Sequence, residues 1–223
     1  MSMFRRAMMA AATASAPPAP WTPYDLPNRI LHLDASAGVA ESGGVLTAWA
    51  DQSPAAQTIT ITGSPTYTAS DVGLNGEPSI TLVSGARIQA LALNRASALY
   101  FASVVYYGGG TQTIYDGTVS GTGRVTASIR VDGVFTHGGL LSYATSAGRS
   151  RLITATDGSM ATTLNGVTLG TLAAGAGSGS GMSIGTNYLG GAFGARLGFL
   201  LVCSALSAGD RTLLQSYLAT RYP

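Results

Sequence analysis

Strand-length runs that stop at turn dipeptides recur along this chain. RVTASIRVDG (124–133), SRLITATDG (150–158) and MATTLNGVTLG (160–170) are punctuated by Asp132-Gly133, Asp157-Gly158 and Asn165-Gly166. Such dipeptides tolerate the positive φ angles of tight hairpin turns. The runs repeat at about 8–12 residues, the spacing of an antiparallel sandwich. QTITITG (57–63) sets Thr58, Thr60 and Thr62 against Ile59 and Ile61, the clearest two-residue period in the chain. ILHLDAS (30–36), VLTAWADQSP (45–54), PSITLVSGARIQAL (78–91), ALYFASVVYYGGG (98–110), TQTIYDG (111–117) and ARLGFLLVCSALS (195–207) read as further strands, and AAGAGSGSGMS (173–183) as a Gly/Ser loop.

One segment reads as a helix. In SAGDRTLLQSYLATRYP (207–223), Ser207 is placed as N-cap with Asp210 three residues on. Leu213, Leu214, Tyr217 and Leu218 share one face, and Arg221 complements the dipole in the last turn. This helix, 207–222, is expected to close one edge or end of the sandwich.

Composition narrows the function classes. Charged residues are 10% of the 223, against about 25% in a typical globular protein. All twelve basic residues are arginine, scattered, and the net charge is +2, so no basic stripe for nucleic acid is present. No run reaches the roughly 18 apolar residues of a transmembrane helix. The single cysteine, Cys203, lies in LGFLLVCSAL and reads as a buried, inert thiol.

The stretch GGAFGARLGFLLVCSALSAGDRTLLQSYLATRYP (190–223) resembles the end of concanavalin A-like (LamG-like) jelly-roll domains of the kind found in bacteriophage structural proteins. The likeness rests on Ala205-Leu206-Ser207, Asp210-Arg211 and the run Tyr217 to Tyr222. LHLDAS (31–36), VLTAWADQSP (45–54), PTYTASDVGLNGEPSITL (65–82) and MSIGTNYLGGAFGARLGFLLV (182–202) are similar to the family's other motifs. The resemblance implies an all-β, concanavalin A-like jelly-roll sandwich over 21–223, with a short C-terminal helix and an extended N-terminal arm and spacer over 1–20. It also implies a virion protein, in the tail or decorating the capsid. Fold alone does not decide activity, because this one hosts lectins, glycosidases and structural modules.

The residues argue against catalysis. Glycoside hydrolysis needs two carboxylates about 5 Å or about 6.5–9.5 Å apart. The only glutamates, Glu41 and Glu77, lie in Gly-rich loop contexts, and no strand carries two acids on one face. His32 reads as a partly exposed strand residue and His137 as a turn residue, and neither has a metal-ligating neighbour. GGGTQT (108–113) lacks the ending of a phosphate loop and reads as a bend. The family resemblance implies a structural calcium ion at the sheet rim in some members. Asp34, Asp51 and Asp71 would supply oxygens here, but none forms a D-x-D pair, so no cofactor and no metal is expected. Trp49 is read as core and Asp51 as acceptor for the turn after it; a sugar platform is the competing reading. Tyr106, Tyr107, Tyr115 and Tyr143, near glycine-rich loops, are the candidate glycan contacts. In a regular strand Tyr106 and Tyr107 point to opposite faces.

The opening MSMFRRAMMAAATASAPPAP has two readings. An export signal would use the arginine pair, the small apolar run and Ala-Ser-Ala as cleavage site. The apolar run is short and Ala/Met-rich, which favours a docking arm instead. Met3, Phe4, Met8 and Met9 would be its apolar anchors, Arg5 and Arg6 its charged contacts, and APPAP (16–20) a stiff spacer. The expected function is a non-enzymatic virion structural protein. The arm would join it to other virion proteins or to copies of itself, its loops would meet host glycans, and neither nucleic acid nor membrane would be a partner. The alternatives are a secreted or surface carbohydrate-binding module and, third, a glycoside hydrolase.

Overall fold

A computed structural model describes residues 19–82, 85–94, 99–109, 111–117, 126–130, 133–136, 139–142, 148–156, 159–171, 180–185 and 196–223. The strands are β1 (Arg29–Asp34), β2 (Val39–Ser42), β3 (Val45–Trp49), β4 (Ile59–Thr62), β5 (Thr66–Thr68) and β6 (Ser79–Thr81). They continue with β7 (Arg87–Asn94), β8 (Tyr100–Tyr107), β9 (Gln112–Gly117), β10 (Ala127–Arg130), β11 (Gly133–Thr136) and β12 (Gly139–Ser142). The remainder are β13 (Gly148–Ala155), β14 (Thr162–Leu164), β15 (Val167–Gly170), β16 (Ser180–Ile184) and β17 (Arg196–Cys203), followed by helix α1 (Ala208–Arg221).

They form two antiparallel sheets. The larger runs β15-β14-β13-β8-β17-β6-β5-β3-β2, with β1 also paired to β17; the smaller runs β12-β11-β10-β9-β16-β7-β4. Local sequence fixes several of the connections. Asn165 and Gly166 adopt φ of 51° and 83° and join β14 to β15 in the two-residue turn their dipeptide predicts. Gly43 and Gly44, at 59° and 80°, do the same between β2 and β3. Asp132 and residues 157–158 lie outside the described residues.

The core between the sheets is built by alternation. On β8, Phe101, Val105 and Tyr107 point inward; the Phe101 ring stacks on Tyr115 of the opposite sheet, centroids 4.2 Å apart. The intervening Ala102 and Val104 point outward, yet they are buried too. The reason is α1, which packs Leu214, Leu218 and Tyr222 against Ala102, Val104, Ile153, Phe199, Leu201 and Cys203 on the outer face of the larger sheet. The helix therefore covers a face rather than an edge or end. β8 and β17 are accordingly apolar on both sides, as sandwiched strands are. Leu213, expected on the buried stripe, is exposed.

Gly198 lets β17 serve both layers. Its register against β8 shifts between Leu197 and Phe199. Before the bulge Leu197 faces the inter-sheet core; after it Phe199, Leu201 and Cys203 face α1. A Cβ at residue 198 would lie 2.9 Å from Leu74 Cδ1 and 3.4 Å from Tyr222 Cε1.

α1 starts where its cap was placed. Ser207 Oγ accepts the Asp210 N–H at 3.1 Å and donates to the Asp210 carboxylate at 2.7 Å. It ends in an ion network. Arg221 Nη2 donates to Asp34 Oδ1 (3.0 Å), Ser36 Oγ (2.9 Å) and Glu77 Oε2 (2.7 Å), and Nη1 donates to Asp34 Oδ2.

Candidate functional site

One row of the larger sheet explains where a groove opens. Leu201, Ala102, Ile153, Thr163 and Thr168 are neighbours in register across β17, β8, β13, β14 and β15. The row is apolar under the helix and turns to hydroxyls at the sheet margin. There α1 no longer fills the space above. Its side chains at Arg211 and Gln215, one turn apart, form the opposing wall.

Two bonds cross from wall to floor. Arg211 Nη2 donates to the Ala161 carbonyl at 2.8 Å, and Gln215 Nε2 donates to Thr163 Oγ1 at 3.3 Å. On the side of the helix N-terminus lies a cavity of about 510 Å³, lined by Tyr100, Ser159, Met160, Ser207 and Thr212 among others. This is the size of ordinary small-ligand sites, about 300–1,000 Å³. On the other side lies one of about 240 Å³, lined by Arg151, Ile153, Asn165, Ser216 and Ala219 among others. Thr163, Gly166 and Gln215 line both, so the two adjoin along one trough, divided by the Gln215–Thr163 bond. Tyr100 contributes a ring whose hydroxyl pairs with Ser159 Oγ at 3.1 Å. No carboxylate is among the described residues that line the trough. Burial holds the Arg211 guanidinium below its ordinary pKa; burial, and then the nearby Arg149 charge, does the same to Arg151.

The residues singled out from sequence lie elsewhere. Tyr107 and Tyr115 are 2% and 0% exposed, packed in the inter-sheet core, and offer no ring face to a sugar. Strand alternation sends Tyr106 to the opposite side, as expected, where it sits beneath the Arg196 guanidinium, 3.8 Å from the ring centroid. Its face is thus occupied. Tyr143, His137 and the arm residues Met3, Phe4, Arg5, Arg6, Met8 and Met9 lie outside the described residues.

The three rim aspartates are committed to the protein itself. Asp34 holds Arg221 and Ser36. Asp51 accepts from the backbone N–H groups of His32, Ser53 and Gln57, so it braces the turn after Trp49 and ties that turn to β1. Asp71 accepts from Gly73 N–H, Ser79 Oγ and Arg196. Arginines occupy the positions a cation would need at Asp34 and Asp71, and no cluster of metal-ligating side chains occurs among the described residues. Trp49 is core, its Nε1 donating to the Asp34 carbonyl.

Among the described residues, Glu41, Glu77 and Asp34 do not compose a hydrolytic pair either. Glu41 accepts the Gly44 N–H at 2.6 Å and braces the β2–β3 turn. Glu77 and Asp34 meet on one guanidinium. Burial alone would raise the Asp34 pKa, but its bonds to Arg221 and Ser36 outweigh this and hold it below the usual range, the reverse of what a general acid needs. His32 is 1% exposed rather than partly open, packed between Tyr24 and Phe199, with neither ring nitrogen bonded. Cys203 is buried, which pushes its thiol up to about 12.

No family model and no curated protein matches the chain. Solved structures do. One is of botulinum neurotoxin type C, for which interaction with two ganglioside molecules is described: 10% identity, TM-score 0.62, covering 86% of this chain and 51% of that one. A second is the binding domain of botulinum neurotoxin DC in complex with rat synaptotagmin II, at 10% identity, TM-score 0.59 and coverage of 86% and 52%. A third is the same binding domain in complex with SialylT, at 10% identity, TM-score 0.58 and coverage of 87% and 52%. The chain shares its sandwich with neurotoxin binding domains. It spans about half the length of those structures, and at such identities the likeness is one of fold.

The trough residues were not singled out from sequence. Thr163, Thr168, Tyr100, Arg211 and Gln215 come from four elements, and of these only Arg211 belongs to a motif, one that points to the fold and not to a ligand. The signal that was present is the polar face of α1, where Arg211 and Gln215 stand four residues apart.

Proposed function

We propose that this protein is a non-enzymatic, glycan-binding sandwich module of a bacteriophage virion, and that the trough beside α1 receives the glycan. The observation that carries the binding reading is the lining. Hydroxyl, amide and guanidinium groups converge on a cleft with one tyrosine ring at its side and no carboxylate among its described residues. Such a surface matches the alternating donors and acceptors of a saccharide and lacks the acid–base pair that would cleave it. Neurotoxin binding domains of the same fold, described with gangliosides and with SialylT, support the ligand class. The virion placement rests on the sequence resemblance at 31–36, 45–54, 65–82 and 182–222. The opening residues 1–20 would be the arm that joins it to a neighbouring subunit.

Screening the full chain on a glycan array tests the binding reading. Saccharide ligands are expected, with Gln215→Ala and Thr163→Val each lowering affinity roughly fivefold, the value of one net hydrogen bond. An array without a single binder overturns it. N-terminal sequencing of the mature protein separates the virion reading from that of a secreted module. Retention of residues 1–15 accords with a particle component, and their loss with export.

A further inference from the structure

Among the described residues, the trough holds arginine charge that no carboxylate meets. On the same side of the larger sheet, Arg196 meets the Asp71 carboxylate and Arg221 meets those of Asp34 and Glu77. Arg211 and Arg151 meet none among the described residues. Arg211 donates to the Ala161 carbonyl, and Arg151 Nη1 donates to the Tyr222 carbonyl at 2.9 Å. A guanidinium carries five N–H donors in a planar fork, so most of each fork remains open to a ligand. Arg149 stands two residues before Arg151, on the same face of β13, with its Nη1 buried and unpartnered. The two repel, and burial weakens solvation of both Arg151 and Arg211. A bound anion would relieve such a site without moving the protein.

Resting on the glycan reading above, we propose that the ligand is an acidic oligosaccharide. One sugar carboxylate seats on Arg211 in the larger cavity and a second on Arg151 in the smaller. The ring hydroxyls between them meet Thr163 and Gln215, which line both. Arg211 and Arg151 lie at the two sides of the Gln215–Thr163 bond, so the site reads the spacing of two negative charges along a chain of sugars.

Calorimetric titration of the full chain tests this with four probes. These are an α-1,4-linked galacturonic acid hexamer, its carboxyl-reduced counterpart, disialyllactose and lactose. At least one acidic probe is expected to bind about tenfold or more tightly than its neutral counterpart, and to weaken as salt rises. Arg211→Gln and Arg151→Gln are each expected to weaken the acidic probe about tenfold, the cost of a lost charge-assisted bond, and the neutral one by a much smaller factor. Arg211→Lys, which keeps the charge while removing the fork, reports on geometry and guards against misfolding of the glutamine variant. Equal affinity for acidic and neutral probes, with the arginine variants silent, overturns the acidic proposal and leaves the glycan reading standing. Failure of all four probes together with an empty array removes both.

Discussion

At the scale of the residue, His32 is a costly choice for the core. Its imidazole is packed between two aromatic rings with both nitrogens unbonded. Burial lowers its pKa to about 4. Between the ordinary value near 6.5 and that figure, the unfolded chain binds a proton that the folded protein refuses. Stability is therefore full above pH 6.5 and falls as pH drops to about 4, by roughly 3 kcal/mol in all. Asp34 does not share this window, because its pKa is depressed and its contribution disappears only below the usual carboxylate range. The melting temperature is expected to drop about 5–8 °C between pH 7 and pH 4.5. His32→Phe should hold stability at pH 7 and flatten that slope; an unchanged slope would assign the loss to other groups. Nothing in LHLD announced the burial. A strand near the chain's start reads as covered on one side, and α1 with the segment at Tyr24 closes the other.

At the scale of the element, the Arg221 network fastens the helix to β1 and to the turn before β6. Arg221→Met leaves the Asp34 carboxylate, 4% exposed in its side chain, without its cation. Stripping one partner from a buried pair costs about 3–5 kcal/mol. Urea unfolding should show a loss of that order, partly restored when Asp34→Asn is added. Elements were the most legible level of the sequence. Asn165-Gly166 predicted its hairpin because the dipeptide encodes the backbone angles directly, and Ser207 predicted the start of α1 because an N-cap is a local bond. The landing place of α1 was not local. Its apolar stripe says that one face is buried and leaves open against what. The answer lay in ALYFASVVYY and LGFLLVC, whose apolar residues fill both strand faces and so demand a layer on each side. Tyr107 and Tyr115 were misjudged for the same reason. A tyrosine next to glycines reads as a loop-side contact until the opposite sheet is known to cover it, as Phe101 covers Tyr115.

At the scale of the whole molecule, the protein is three layers deep, with the helix as the third. Leu214 and Leu218 each contribute about 1.5–3 kcal/mol through burial, and removing α1 would also bare the outer face of β8 and β17. A chain truncated after residue 203 is expected to bind a hydrophobic dye and to lose its cooperative melt. A sharp transition and no dye signal would show the two sheets to be self-sufficient. The trough belongs to this level as well. Tyr100, Arg151, Thr163 and Gln215 are brought together by strand order and helix placement, and no window of sequence contains them. Turn-flanking tyrosines are visible locally in the sequence, whereas a site assembled from four elements is not.

β17 lies between β8 on one side and β1 and β6 on the other. During synthesis the large sheet thus lacks its middle until residues 196–203 have left the ribosome. Strands made long before, β1 and β8 among them, must wait with unpaired edges, and pairing β1 requires closing a loop of most of the chain, pairing β8 one of less than half of it. The larger sheet is in consequence completed late, and until then its unpaired strand edges are the nascent protein's exposure to aggregation.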